Sequence, residues 1–195
     1  MKLLVMRHGE TTFNHQRKFY GKTDVSLDET GVKQAEIVSK KLKNESLDAI
    51  IRSNMRRTAE TSKPIIADHP NADLYVDSGF DEMSFGDWEG MDANQIEAAD
   101  PQNWQRWLDQ PFKVAPGNGE SYETFKVRVT QAMTKYYQKL SPASTTLLIA
   151  HLGTLRTLYH SWFPSEDYWQ TKFEAGCYSV FDLSADGIEL LALNV

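Results

Sequence analysis

The chain has 195 residues, 41 % of them apolar and 25 % charged, with a formal net charge of -6. This is the balance of one soluble globular domain with a sizeable core. The acidic excess argues against a general nucleic-acid binder, which carries a basic surplus. No apolar stretch approaches the roughly 20 residues of a membrane span, so neither nucleic acid nor membrane is expected as a partner. Cys177 is the only cysteine, which excludes an intramolecular disulfide. Its neighbours Tyr178, Val180 and Phe181 read as a strand, with the thiol as a small buried hydrophobe. Met1-Lys2-Leu3 leads straight into the first strand, leaving no room for a signal peptide, and the expected location is cytoplasmic.

In chain order, Leu3-Leu4-Val5-Met6 is a short apolar strand, and a polar loop follows it through Asp24. Asp28 is the expected N-cap of a helix carrying Val32, Ala35, Val38 and Leu42 on one face. Asp48-Ala49-Ile50-Ile51 is a second strand. Met55 to Ala67 reads as a helix, with Pro64 a point where it ends or kinks, and Leu74-Tyr75-Val76 is a third strand. Residues 83–119 change character: Trp88, Trp104 and Trp107 sit among acids, Gly and Pro. They read as an excursion from the sheet, with the tryptophans packing it. Ser121 to Leu140 is the clearest helix, its apolar stripe running Tyr122, Phe125, Val129, Met133, Tyr136 and Leu140. Thr145–Ala150 has the composition of a fully buried strand, and Thr154 to Phe163 that of a helix. Tyr178–Leu183 and Ile188–Leu193 read as an antiparallel pair turning at Asp186-Gly187. Strands alternating with helices predict an α/β fold: a mostly parallel central sheet with helices on both faces, residues 1–195 forming one domain. Ligands of such sheets sit beyond the carboxyl ends of the strands.

Chemistry concentrates at those ends. The first strand stops at Arg7-His8-Gly9, which places a guanidinium and an imidazole at the mouth of the sheet. Gly9 lets the backbone turn and approach an anion closely. A guanidinium for paired oxygen contacts beside a nitrogen nucleophile is what phosphate chemistry needs. His151 follows the buried strand ending at Ala150 and precedes a helix, so it falls on the same sheet edge as His8. Arg57 lies at a helix start, where the N-terminus adds its own preference for anions. Asp77, Asp81, Glu82, Asp87 and Glu89 crowd one stretch, and the residues by themselves do not single one out. Gly21-Lys22-Thr23 ends like a P-loop, but Gln16 stands where its first Gly is required. No His-Glu-x-x-His or cysteine cluster offers zinc ligands. His15, His69 and His160 show no partner pattern and read as surface or structural.

Taken together, these segments resemble the histidine phosphatase superfamily, the phosphoglycerate-mutase-like enzymes. The resemblance rests on Arg7-His8-Gly9-Glu10-Thr11 with Asn14, on Gly21-Lys22-Thr23-Asp24-Val25-Ser26-Leu27, and on Ser53-Asn54-Met55-Arg56-Arg57-Thr58. It continues through Asp81-Glu82-Met83-Ser84-Phe85-Gly86-Asp87-Trp88-Glu89-Gly90 and Leu148-Ile149-Ala150-His151-Leu152-Gly153. It implies phosphoryl transfer with His8 as nucleophile, Glu82 as general acid and His151 as the third catalytic residue. Arg7, Asn14, Gly21, Arg57 and Leu152 are implied around the phosphate, and no metal or other cofactor. Two positions depart from the family pattern. Leu152 stands where the family usually has Gly, and keeps a backbone N–H. Lys18 stands where Arg is common, with Arg17 beside it. Lysine binds phosphate as a point charge, without the fork.

Within the resemblance, the segments around Trp88 and Pro116 look most like the short phosphatase branch, which includes α-ribazole phosphatases. Residues 83–119 hold two basic residues against six acids, and such a lid repels a multiply charged sugar phosphate. The expectation is therefore a phosphomonoester hydrolase of the acid-phosphatase type acting on a small phosphorylated metabolite. Mutase-type phosphotransfer and a catalytically silent phosphate-binding protein are the alternatives.

Overall fold

The computed structural model describes residues 1–195. Six strands form one sheet: β1 (Lys2–Arg7), β2 (Ala49–Arg52), β3 (Asp73–Val76), β4 (Thr145–Ala150), β5 (Tyr178–Ser184) and β6 (Gly187–Ala192). Their order is β3-β2-β4-β1-β5-β6. The first four run parallel, and β5 and β6 are antiparallel additions beside β1. The helices are α1 (Thr12–His15), α2 (Glu29–Leu42), α3 (Arg56–Asp68), α4 (Ala93–Ala99), α5 (Pro101–Asp109), α6 (Tyr122–Lys139) and α7 (Leu152–Trp162).

Alternation along β1 explains why both faces are covered. Leu3 and Val5 face a core built with Phe125, Val129 and Met133 of α6 and Leu155 and Leu158 of α7. Leu4 and Met6 face Val38 and Leu42 of α2 and Ile65 of α3. Strands apolar at every position are the expected pattern for a sheet sandwiched between helix layers. The helix ends follow local chemistry: the Asp28 carboxylate caps Gly31 N–H of α2, and Ser121 Oγ caps Thr124 N–H of α6.

Three details differ from the sequence expectation. Pro64 lies inside α3, which runs on to Asp68. α7 begins at Leu152, two residues early, with His151 as its N-cap residue. Cys177 precedes β5 and is half-buried, so it is neither in a strand nor a core residue. The excursion has a core of its own in Trp88, Ile96, Trp104 and Trp107. Trp104 and Trp107, one turn apart on α5, stack with centroids 5.5 Å apart, and Phe19 of the loop after β1 meets both edge-on. That contact ties the lid to the mouth of the sheet. No helix is long and apolar enough to cross a membrane.

Candidate active site

Strand register assembles the site. Arg7 of β1 lies beside Ala150 of β4, and Ile149 of β4 beside Arg52 of β2. The residues that follow, His8, His151 and Ser53, therefore emerge together at one sheet edge. The two imidazoles are 5.2 Å apart between centroids, and Ser53 Oγ is 2.8 Å from His151 Nε2. A cavity of about 270 Å³ opens there. Arg7, His8, Asn14, Arg57, Glu82, His151 and Leu152 all line it. Gly21 is absent from that wall; its carbonyl accepts from Arg57 Nη2 at 2.9 Å and acts on the site through that arginine.

The hydrogen bonds fix which nitrogen of each histidine carries a proton. His8 Nδ1 is 2.7 Å from the Gly9 carbonyl, which only accepts, so Nδ1 is the protonated nitrogen. Nε2 then holds a lone pair and has no partner within the protein. For His151 the logic reverses. Arg57 Nε donates to its Nδ1 at 3.1 Å, so the proton sits on Nε2 and goes to Ser53 Oγ. Ser53 in turn meets Thr58 Oγ1 at 2.9 Å, and Thr58 donates to the Met55 carbonyl at 2.8 Å. Both ring nitrogens of His151 are thus engaged.

Burial pushes the His8 pKa well below its ordinary value, with the charges of Arg57 and Arg7 acting in the same direction. His151 is lowered in the same way, by burial first and then by Arg57, His8 and Arg7. Both rings are neutral at pH 7, as a nitrogen nucleophile requires. Glu82 is raised, because burial outweighs the two N–H groups and two arginines that favour its anion. Those N–H groups are Met83, to Oε1, and Gly153 in the first turn of α7, to Oε2, each at 2.9 Å. A Cβ at Gly153 would collide with Glu82 Oε1, so glycine there lets the carboxyl reach the helix N-terminus.

The two arginines are held differently. Arg57, fully buried, donates to His151 Nδ1, to the Thr23 carbonyl and to the Gly21 carbonyl. Its guanidinium also lies over the Tyr20 ring, 4.8 Å from the centroid. Arg7 makes one long bond, 3.3 Å to the Phe173 carbonyl, and its buried Nε has no acceptor in the protein. A buried guanidinium donor with no partner marks a place for an anionic ligand. Asn14 closes one side: its Oδ1 accepts from Thr11 N–H and the Tyr20 hydroxyl. Arg17 and Lys18 both reach the rim.

Several supporting residues were not foreseen from the sequence. Tyr20 lines the cavity. Thr61 Oγ1 accepts from Gly9 N–H, fixing the turn after His8. Arg128 of α6 donates to the carbonyls of Ser78, Gly79 and Asp81 and pairs with Glu120, so it holds the loop that ends in Glu82. Glu89 accepts from the N–H groups of Lys22, Thr23 and Phe85, which locks the loop carrying Gly21. Only Ser53 gave a sequence signal, as the residue directly after β2. The exposed His15 places Nε2 2.9 Å from a Glu10 carboxylate oxygen and 3.3 Å from one of Asp28. His69 is buried, and neither it nor His160 lines this cavity.

Two neutral strand-end histidines, two arginines and a buried carboxyl with a raised pKa around one cavity define a phosphate-handling centre. The model of the histidine phosphatase superfamily (branch 1) matches residues 3–195, and the chain belongs to that family. Among its relatives is the adenosylcobalamin/alpha-ribazole phosphatase of Escherichia coli K12, 27 % identical, the match covering all of this chain and 96 % of that protein. Phosphoserine phosphatase 1 of Hydrogenobacter thermophilus is also 27 % identical, with 100 % and 92 % covered. The crystal structure of the alpha-ribazole phosphatase from Shigella flexneri superposes with a TM-score of 0.91 at 28 % identity, covering 100 % of this chain and 96 % of that one. These relatives make the chain a hydrolase of the phosphatase type.

Proposed function

We propose that the protein hydrolyses a small phosphomonoester through a phosphohistidine at His8. The observation carrying this reading is the Nδ1 contact of His8 to the Gly9 carbonyl, which leaves a neutral Nε2 lone pair in the cavity that Glu82 also lines. Nε2 attacks phosphorus in line as the ester P–O bond breaks, and the leaving alkoxide takes the Glu82 proton. The Glu82 carboxylate then accepts a proton from water as its oxygen attacks phosphorus. The N–P bond breaks and inorganic phosphate leaves. Arg7 and Arg57 stabilise the equatorial oxygens, since phosphoryl transfer is catalysed mainly by positioning and charge. His151, oriented by Arg57 and Ser53, completes the pocket. The residues supply the charge themselves, so no metal is assigned a step.

Hydrolysis is favoured over mutase transfer by the lid, whose residues 83–119 carry six acids and only Arg106 and Lys113 as bases. The names of the relatives, alpha-ribazole and phosphoserine phosphatases, support a small phosphorylated metabolite as substrate. Acid-quenching the enzyme during turnover should trap an acid-labile, alkali-stable phosphoryl group mapping to His8, and His8→Ala should abolish turnover. Wild-type rates in that variant would refute the mechanism.

A further inference from the structure

Glu10, His15 and Asp28 meet outside the catalytic cavity, where the loop after β1, the end of α1 and the start of α2 come together. One carboxylate oxygen of each acid and a ring nitrogen of His15 lie within 4.8 Å of one another. His15 Nε2 is 2.9 Å from Glu10 Oε2 and 3.3 Å from Asp28 Oδ2. Those same two oxygens are buried and accept no hydrogen bond from the protein. An imidazolium acting as a mere counter-ion would aim its N–H at one of them, and neither receives it. The acids themselves are fixed by other bonds. Asp28 N–H donates to the Glu10 carbonyl at 3.0 Å, Glu10 N–H to Gln34 Oε1 at 2.8 Å, and Asp28 Oδ1 accepts from Gly31 N–H at 2.8 Å.

We propose that Glu10, His15 and Asp28 form a Zn²⁺ site, separate from the phosphate centre, whose ion ties α1 to the start of α2. Ligands about 2.1 Å from a divalent ion stand roughly 3.0 Å apart at right angles and roughly 3.4 Å apart in a tetrahedron. The two distances at His15 match those edges. Two buried carboxylate oxygens without a donor are costly as anions, and one dication satisfies both. The imidazole selects the metal: a nitrogen donor beside two carboxylates suits zinc, whereas Mg²⁺ and Ca²⁺ take oxygen ligands. Water reaches the remaining position from the side of the exposed His15 ring. Asn14 directly precedes His15, and Glu10 lies two residues after His8. The ion therefore braces a segment that borders the catalytic cavity without entering it.

The test titrates Zn²⁺ calorimetrically into the untagged chain after treatment with chelator and buffer exchange. The wild type should bind one equivalent. Removing a group that merely orients a metal ligand costs about 10- to 100-fold in affinity, so losing a ligand should weaken binding by at least about 100-fold in His15→Ala and in Asp28→Asn. The His15 side chain is 59 % exposed, so its truncation does not threaten the fold. Asparagine at position 28 can still cap α2 while lacking the charge. His160→Ala should bind as the wild type does, since that ring faces the Glu166 carbonyl. Zn²⁺ should also raise the urea midpoint of the wild type and leave that of His15→Ala unmoved. Absence of stoichiometric binding, wild-type affinity in His15→Ala or Asp28→Asn, or displacement of Zn²⁺ by an equal concentration of Mg²⁺ would overturn the site.

Discussion

Replacing each arginine by lysine should separate two roles that the same residue type plays in this site. Arg57 spends all three guanidinium nitrogens inside the protein, on His151 Nδ1 at 3.1 Å and on the carbonyls of Thr23 and Gly21 at 3.1 and 2.9 Å. A single ammonium nitrogen cannot stand where three nitrogens stood, so Arg57→Lys loses at least two bonds from a buried cation. Hydrogen bonds to charged groups contribute about 1.5–3 kcal/mol each, so the loss is about 3–6 kcal/mol on the same scale. That is a large part of a typical total of roughly 5–15 kcal/mol. With a urea slope of about 2 kcal/mol/M, the unfolding midpoint should fall by about 1.5–3 M. Arg7 has only its long bond to Phe173 and an unpartnered Nε, so Arg7→Lys should move stability by less than about 1 kcal/mol. Its kcat should still fall by roughly 10²–10³-fold, as when one transition-state donor is removed. Urea melts and steady-state kinetics on both variants check this. Equal loss of stability in the two, or an Arg57→Lys protein as stable as wild type, would refute the division of labour.

The remaining predictions concern protons. Glu82→Gln should damage hydrolysis of an alkyl phosphate severely and that of p-nitrophenyl phosphate less, because nitrophenolate leaves without help. General acids contribute roughly 10²- to 10⁴-fold, and equal loss of kcat/KM with both substrates would assign Glu82 to positioning instead. The exposed Glu97 of α4 is the proper control, since Glu89 holds the Lys22–Thr23 backbone. The folded pKa values of His8 and His151 lie below the unfolded value of about 6.5. The unfolded chain therefore binds their protons first as pH falls, and their stabilising contribution, complete above 6.5, should be lost as pH drops below it. Glu82 runs the other way: its folded pKa is raised, so its contribution is present below the unfolded value and lost as pH rises through the folded one. Urea midpoints measured from pH 8 to pH 5 should fall, and less steeply in His8→Asn; a flat profile would contradict neutral buried histidines.

What the sequence made legible follows from how each residue acquires its position. His8 and His151 directly follow paired strands, so reading Leu3–Met6 and Thr145–Ala150 as strands of one sheet was enough to bring them to one edge. Arg57 was accessible for a related reason, since α3 starts four residues after β2 ends. Residues placed by loops had no such address. Arg128 projects from α6 onto three loop carbonyls, and in the sequence it is one more cation on an amphipathic helix. Pro64 read as a point where the helix from Met55 to Ala67 ends or kinks, and α3 continues through it to Asp68, packed against the sheet by Ile65.

The crowded acids show where local reading stops and why. Five carboxylates between residues 77 and 89 are indistinguishable as residue types, and the structure distinguishes them by what each one meets. Asp77 accepts from Gly79 N–H and pairs with Lys135. Asp81 accepts from Asn54 N–H, Asp87 from Asn118 Nδ2, and Glu89 from the loop after β1. Each of those four is taken up in holding one segment against another. Glu82 is the one that lines the cavity, with two N–H groups orienting its oxygens and burial raising its pKa. A proton donor in this site is defined by the burial and the helix N-terminus around it, and that N-terminus belongs to α7, some seventy residues further along the chain. No pattern within residues 77–89 encodes that, so family resemblance could single out Glu82 where composition and spacing could not.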